Sequence, residues 1–323
     1  MPHAIRVHQA GGPDVLSWEE VEIGDPGPGQ VRLRQEAVGL NFIDVYHRTG
    51  LYPQPLPFTP GTEGAGVVDA VGADVTNVKE GDRVAYAGPV GGYAEERLID
   101  ADRVVQLPRD ISTEQAAAMM LQGMTAQMLL RSVFPVTNGD TILVHAAAGG
   151  VGLIMCQWAA ALGATVIGTV GTEEKAELAR EHGCAHPIVY SKQDFVAEVN
   201  RITEGEKLPV VYDSVGRDTF MRSLDCLKVR GLMVSFGNAS GPVEPFSPLV
   251  LSQKGSLYLT RPTLFHYVAS REQLENSAKE LFEVVAKGKV KIEVQQRFAL
   301  KDAAEAHRAL QARETTGSTI LTI

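Results

Sequence analysis

The hydrophobic pattern changes twice along the chain. Over the first hundred residues, apolar positions come in short runs such as "VRLRQEAVGL", "GAGVVDAVG" and "RVVQLP". Turn-forming strings separate them: "GGPD", "GDPGPGQ", "YPQPLPFTPG", "GDRV" and "GPVGG". Short β-rich runs at this spacing predict a compact, barrel-like β domain. "ISTEQAAAMMLQGMTAQMLLRSVF" then reads as one helix, opened by Ser112 and Gln115 as a capping box. From Asp140 onward, predicted strands "TILVHA", "TVIGTV", "PIVY", "PVVYDSV" and "GLMVSFG" alternate with helices "GLIMCQWAAAL", "EEKAELAREH", "DFVAEVNRIT" and "TFMRSLDCL". That alternation predicts a doubly wound parallel sheet covered on both faces. The tail departs again, with a helix "SREQLENSAKELFEVVAKG" capped by Ser270 and Gln273 and stopped by Gly288. A strand, a helix over 301–313 and a closing strand "STILTI" follow. The α/β unit thus reads as an insertion, 124–260, in a discontinuous outer domain made of 1–123 and 261–323.

Composition narrows the class. The 323 residues are 44% hydrophobic and 21% charged, an ordinary globular balance that suits two domains. The net charge is −9 and no basic run occurs, which argues against nucleic acid as a partner. Cys156, Cys184 and Cys226 are scattered without C-x-x-C spacing, so neither a disulfide framework nor a cysteine zinc lobe is expected. No stretch reaches the length of a membrane span, and the opening residues lack an apolar signal core. A cytoplasmic enzyme with no membrane partner is the expectation.

The stretch after the first predicted strand of the α/β unit carries the strongest chemical signal. Aligned on G-x-G-x-x-G, it reads Ala147-Ala148-Gly149-Gly150-Val151-Gly152, with alanine at the first glycine position. Small residues let the backbone turn sharply and let a pyrophosphate approach the free N–H groups of the opening helix. The alternative is a tight turn with close helix–strand packing; the strand–loop–helix–strand context favours a dinucleotide. The next strand ends in neutral residues, Thr169-Val170-Gly171-Thr172, where an NAD site usually places an acid. Glu173 and Glu174 fit the first turn of a helix, whereas Lys175 in that turn opposes the dipole. A cation there points to a 2′-phosphate and to NADPH as cofactor; the alternative is a solvated surface lysine.

These strings also carry a family resemblance. "GDTILVHAAAGGVGLIMCQ" resembles the signature of quinone oxidoreductases of the zeta-crystallin type, in the medium-chain dehydrogenase/reductase superfamily. "GLNFIDVYHRTGLYP", "PGTEGAGVV", "YDSVG", "SFGNASG", "LTRPTL" and "AHRALQARETTGSTILTI" extend it over the whole chain. One departure is Ala160, where that signature carries Lys, Arg or Ser. The resemblance implies a GroES-like β-barrel catalytic domain, an inserted Rossmann domain and a quinone in the interdomain cleft. It implies a homodimer joined through the edge strand near "SLYLT". It places Lys175, Tyr190 and Arg313 around the 2′-phosphate and Gly149 to Gly152 under the pyrophosphate, with Gly171 at the end of the second strand. Phe236 and Asn238 would lie along the cofactor, and Asn41, Tyr46 and Tyr52 near the nicotinamide. Each has a structural alternative: Tyr190 as packing, Arg313 as a helix-end cation, Phe236 as core, Asn238 as turn chemistry before Gly241.

Zinc alcohol dehydrogenases of the superfamily place a cysteine and a histidine where this chain has Asn41 and Thr62. Neither is a zinc ligand, so no metal is expected. Glu63 reads as a structural acid, Asp44 as a solvated or helix-start acid, and His47 as a surface residue. A quinone or an enone accepts hydride with its charge delocalised, so positioning and hydrogen-bond donors replace a Lewis acid. Asn41, Tyr46 and Tyr52 are the candidate donors, Asn41 doubling as N-cap of the helix that follows. An alkenal or enone reductase on the same fold is the nearest alternative. A non-catalytic NADPH-binding protein, as in lens-type or RNA-binding relatives, is the other.

Overall fold

Two sheets of opposite character organise the chain. The computed structural model describes residues 1–323, which divide into two units. One comprises Met1–Met124, Val268–Ala286 and Ile292–Ile323, and the other Thr125–Tyr267 and Lys287–Lys291.

In the first unit the strand Gln30–Gly39 is the hub. One of its edges pairs with Glu63–Val71, and the other is shared by Glu96–Asp100 and Ser318–Thr322. Arg83–Ala87, Val105–Gln106 and Val294–Ala299 complete a sheet of seven strands. Alternation along the hub sends Val31 and Leu33 inward, against Val68, Val84, Tyr86 and Ile99. The C-terminal segment supplies Leu300, Ala303, Ala306 and Leu321 to a second cluster with Ile5, Val38 and Leu40. A hairpin of His3–Val7 and Leu16–Glu20 precedes the hub.

The differences from the sequence reading have physical causes. "GDRV" is a turn only at its start, since Arg83 already belongs to a strand. "RVVQLP" yields just the two-residue strand Val105–Gln106, because a 3₁₀ turn occupies Ala101–Arg103. The long helix from Thr113 breaks after Ala117, resumes at Met120–Gln127 and ends in a wide π turn at Met128–Val133. At that break, the N–H of Leu121 is donated to the Glu63 carboxyl at 2.7 Å, outside the helical ladder. Both capping boxes form, Ser112 with Gln115 and Ser270 with Gln273.

The second unit holds six parallel strands in the order His186–Val189, Thr165–Val170, Thr141–Val144, Leu208–Asp213, Leu227–Ser235, Tyr258–Thr260. In chain order this is 3-2-1-4-5-6, the Rossmann arrangement. The runs "TILV" and "TVIGTV" are buried beyond their first residue, as strands of a sheet covered on both faces are. Leu143, Ile167, Val211, Phe195 and Phe220 meet in this core. Buried His145 follows the first strand and binds Thr169 Oγ1 and Ser223 Oγ, each at 2.8 Å. Ser223 spends its own proton on Thr219 O, so His145 donates from Nε2 and accepts at Nδ1 from Thr169. No helix is long and apolar enough to cross a membrane.

One hydrogen-bond relay crosses the core of the first unit. Arg48, only 1% exposed, donates to His307 Nδ1 at 3.0 Å, to Gln311 Oε1 at 2.8 Å and to Gly11 O at 3.1 Å. His307 Nε2 meets the Tyr93 hydroxyl at 3.1 Å, and that hydroxyl donates to Asp44 Oδ2 at 3.0 Å. With its Nδ1 lone pair taken by a guanidinium, His307 is the neutral Nε2–H tautomer. Burial and Arg48 together push its pKa down to about 3. The relay ties the helix Phe42–Thr49 to the helix Ala303–Gln311. Arg48→Ala strands the buried His307 Nδ1 and two part-buried oxygens and is expected to cost about 3 kcal/mol of unfolding free energy. Urea titration of the purified variant checks this, and a loss below about 1 kcal/mol would deny the relay its structural weight.

Candidate active site

Every candidate cofactor residue of the second unit lies in the segment that follows the C-terminal end of a parallel strand. The first strand leads into Ala146, held at φ +53°, and then into the helix Gly150–Ala161 with Gly149 as N-cap. That helix carries no acid in its first turn, so its N–H end is left for an anion. Gly152 is required by packing: a Cβ there would lie 2.3 Å from Ala146 O. Val151 opens the same turn, half-buried beside Gly150.

The second strand ends at Val170, and Gly171 follows. A side chain on Gly171 would meet the Tyr190 hydroxyl at 2.9 Å, so Tyr190 packs over this glycine. Tyr190 lies just past the third strand, 45% exposed, with its N–H donated to Val170 O. Thr172 caps the helix Glu173–Glu181 by accepting the Lys175 N–H, which leaves Lys175 in the first turn, half-buried. Glu173 is engaged by Lys192 at 2.8 Å. Phe236 follows the fifth strand, its N–H bonded to Asp213 O, and is half-buried rather than core. Asn238 closes a turn by accepting the N–H of Gly241. The structure thus brings together Gly149 to Gly152, Gly171, Lys175, Tyr190, Phe236 and Asn238 on one edge of one sheet. Arg313 lies in the other unit, exposed just beyond the helix Ala303–Gln311.

The three donor candidates lie on one helix of the first unit and the turn after it. Asn41 is the N-cap of Phe42–Thr49, Tyr46 is one turn on, and Gly50 ends the helix in the left-handed region. Tyr52 N–H bonds Tyr46 O at 3.0 Å, and their rings meet edge-on at 5.2 Å. Asn41 donates from Nδ2 to Glu63 Oε2 at 2.7 Å and accepts at Oδ1 from Gln122 Nε2 at 3.0 Å.

Two sequence expectations are corrected here. Asp44 is no solvated acid: it is wholly buried and accepts from Asn41 N–H, Tyr93 and Thr62. His47 is no surface residue either, being 6% exposed against Tyr52 with its Nδ1 unpartnered. All of Asp44 to Arg48 is buried, because the helix is covered on several sides and not on one stripe. Gln122, Tyr93, Arg48 and His307 went unnoticed in the sequence. Only His307 carried a local signal, since it shares the inward face of its helix with Ala303 and Ala306.

Burial dominates the electrostatics. It pushes the Asp44 carboxyl up to about 7 and Glu63 up to about 8, against the donors that favour their ionised forms. Burial also pulls His47 down to about 4. No group of three or more His, Cys, Asp or Glu side chains is placed to hold a metal ion. In the positions discussed for zinc, Asn41 and Thr62 instead bond to Glu63 and Asp44.

A GroES-like barrel joined in one chain to a Rossmann sheet defines a medium-chain dehydrogenase/reductase. Residues 27–109 match the family described as alcohol dehydrogenase GroES-like domain, and 150–285 the family described as zinc-binding dehydrogenase. A quinone oxidoreductase of Pseudomonas aeruginosa is 55% identical over 323 residues, 99% of each chain. A 2-haloacrylate reductase of a Burkholderia species is 48% identical over 99% of each chain. The crystal structure of Escherichia coli quinone oxidoreductase complexed with NADPH superposes with a TM-score of 0.98 at 50% identity, covering 99% of this chain and all of that one. The chain belongs to the quinone oxidoreductase family.

The buried titratable groups make stability depend on pH with a definite sign. Asp44 and Glu63 bind protons more tightly when folded, so their contribution is full below the usual carboxylate range and is lost as pH rises through about 7 and 8. His47 and His307 work oppositely, their contribution being lost as pH falls below the usual histidine range toward about 4 and 3. Thermal scans are therefore expected to show Tm falling from near-neutral pH through pH of about 8. A flat profile between near-neutral pH and about 8 would mean the two acids do not titrate as buried groups.

Proposed function

We propose that this protein is an NADPH-dependent quinone reductase that works without a metal ion. The observation that carries the reading is the gathering of the glycine loop, Gly171, Lys175, Tyr190, Phe236 and Asn238 at the C-terminal edge of a 3-2-1-4-5-6 sheet. Ligands of such sheets bind at that edge, by the point where strand order reverses. In this reading the N–H groups of Gly150, Val151 and Gly152 hold the pyrophosphate. Lys175 and Tyr190, with Arg313, hold the 2′-phosphate, which explains the neutral strand end before Gly171. The relative crystallised with NADPH supports the cofactor.

NADPH supplies the hydride when bound. The chain's own part is to orient the acceptor and to answer the negative charge that develops on its oxygen. Asn41, Tyr46 and Tyr52 are the donors assigned to that task, with the quinone in the interdomain cleft that the family resemblance implies. Because the reduced ring is an aromatic anion, neutral N–H and O–H donors suffice where an alkoxide would need a metal. Enone reduction is the second reading, favoured by the 48% identity to a 2-haloacrylate reductase. Its product is an enolate and needs the same donors. We place the protein in the cytoplasm, where its three buried free thiols remain reduced.

We propose a homodimer on similar grounds. The strand Tyr258–Thr260 has one partner, Leu227–Ser235, and Val229, Tyr258 and Leu259 are exposed along that end of the sheet. A second copy meeting this edge would extend the sheet and cover those side chains. Light scattering is expected to give twice the 34.7 kDa chain mass, with Leu259→Arg shifting it toward one chain. A single-chain mass for the unmodified protein would remove the dimer.

The test of activity is NADPH oxidation with 1,4-benzoquinone, with NADH in parallel and a chelator present. Chelator-insensitive, NADPH-selective turnover is expected. Lys175→Ala should weaken NADPH binding about tenfold or more and leave NADH nearly unchanged. Equal losses for both cofactors would sink the phosphate assignment, and turnover of an enone but no quinone would move the substrate to the second reading.

A further inference from the structure

Asn41 belongs to a buried chain of four hydrogen-bonding side chains. Ser318 Oγ donates to Gln122 Oε1 at 2.8 Å, Gln122 Nε2 donates to Asn41 Oδ1 at 3.0 Å, and Asn41 Nδ2 donates to Glu63 Oε2 at 2.7 Å. Each member can reverse its polarity in place. The hydroxyl rotates, the two amides exchange oxygen and nitrogen by half a turn, and the carboxyl accepts when ionised but donates when protonated. Glu63 Oε1 already receives the backbone N–H of Leu121 at 2.7 Å, so a proton on this acid belongs on Oε2, facing Asn41. Within these four side chains two arrangements are therefore self-consistent; the reversed one gives up the cap contact of the Asn41 oxygen with the Asp44 N–H, which stays bonded to Asn41 O. Any mixture sets donor against donor, or acceptor against acceptor, away from water.

The two arrangements differ in what Asn41 has to offer. In the observed one, Nδ2 spends one hydrogen on Glu63 and keeps the second. In the reversed one, the oxygen takes the place of that nitrogen, and the N–H groups face Gln122.

We propose that Glu63 is a positioning residue that sets the polarity of the Asn41 amide: ionised, it holds an N–H for the quinone oxygen, and protonated, it turns an oxygen there instead. The proposal rests on Asn41 being a substrate donor, as assigned above. The charged and titratable groups around Glu63 are Asp44 on the helix Phe42–Thr49, Tyr86 on the strand paired with Glu63–Val71, with the Arg97 guanidinium over its ring, and Tyr93. Burial first, with Asp44 adding to it, brings the Glu63 proton exchange to about pH 8. The donor arrangement is thus gained as pH rises through that value.

The experiment compares Glu63→Gln with Gln122→Leu in benzoquinone reduction by NADPH across pH. In Glu63→Gln the amide oxygen takes the Leu121 N–H, its NH2 faces Asn41, and the reversed arrangement is fixed. Its quinone kcat/KM is expected to fall about 10- to 100-fold and to lose the rise near pH 8, with the NADPH Kd within about twofold of the unmodified protein. Gln122→Leu leaves Glu63 in command of Asn41; it should lower Tm yet keep the rise, with kcat/KM down about threefold. A merely structural role predicts the opposite order, since Glu63→Gln is isosteric and Gln122→Leu strips two bonds. The proposal is overturned by unchanged kinetics in Glu63→Gln, or by a larger loss in Gln122→Leu. The unmodified enzyme tests it without any substitution: a kcat/KM that stays flat across pH of about 8 overturns it. Absent quinone and enone turnover in the unmodified enzyme would instead refute the functional reading itself.

Discussion

A carboxyl group buried without an adjacent cation is the constraint on which the barrel unit is built. Asp44 is wholly enclosed, and the positive charge aligned with it, Arg48, acts through two neutral intermediaries, His307 and Tyr93. Removing an ion from water costs several kcal/mol, and only directed hydrogen bonds at both oxygens make that tolerable. The donors come from a helix cap, a threonine beside Glu63, a loop tyrosine and, through it, a C-terminal helix. Segments far apart in sequence are thereby held to one geometry. The helix they fix carries Asn41 and Tyr46, so the compensation of one charge also aims the candidate donors.

Asn41 is where structural and chemical demands coincide. Its backbone N–H serves Asp44 and its side chain serves Glu63 and Gln122. In zinc dehydrogenases of the superfamily this position holds a thiolate. Here the same place in the fold is filled by an asparagine that joins two acids, one through its backbone and one through its side chain. The second unit solves a related problem with backbone groups. Its helix N-terminus and glycine loop leave N–H donors unspent at the sheet edge, and His145 braces the strand ends beneath them with uncharged bonds.

Legibility in the sequence followed the range of the interactions. The parallel sheet was readable because each strand and helix declares itself in its own apolar period, and "TVIGTV" matches its strand end to end. Both capping boxes were readable because each involves residues three apart. The break after Ala117 was not, since it depends on Glu63, far away in the chain, capturing the Leu121 N–H. Asp44 and His47 were misjudged for the same reason: a polar residue in an eight-residue helix looks solvated until the segments covering it are known. Tyr93 and Arg48 acquire meaning only through His307, which lies over two hundred residues further on. Local pattern thus located the glycine loop and the strand ends of the second unit, and missed the tertiary partners that surround Asn41.

The discontinuity of the barrel has a consequence for the order of events on the ribosome. Thr125–Tyr267 is nearly continuous in sequence and contains all six strands of its sheet, so it can fold as it emerges. The barrel cannot be completed then, because Ser318–Thr322 and the helix bearing His307 follow that segment in the chain. Until they arrive, the hub strand keeps part of one edge open and Asp44 lacks its relay. The nascent chain therefore passes through a stage with a finished nucleotide fold and an unfinished barrel. The hub-strand edge at Ala37–Gly39 is the one left unpaired at that stage.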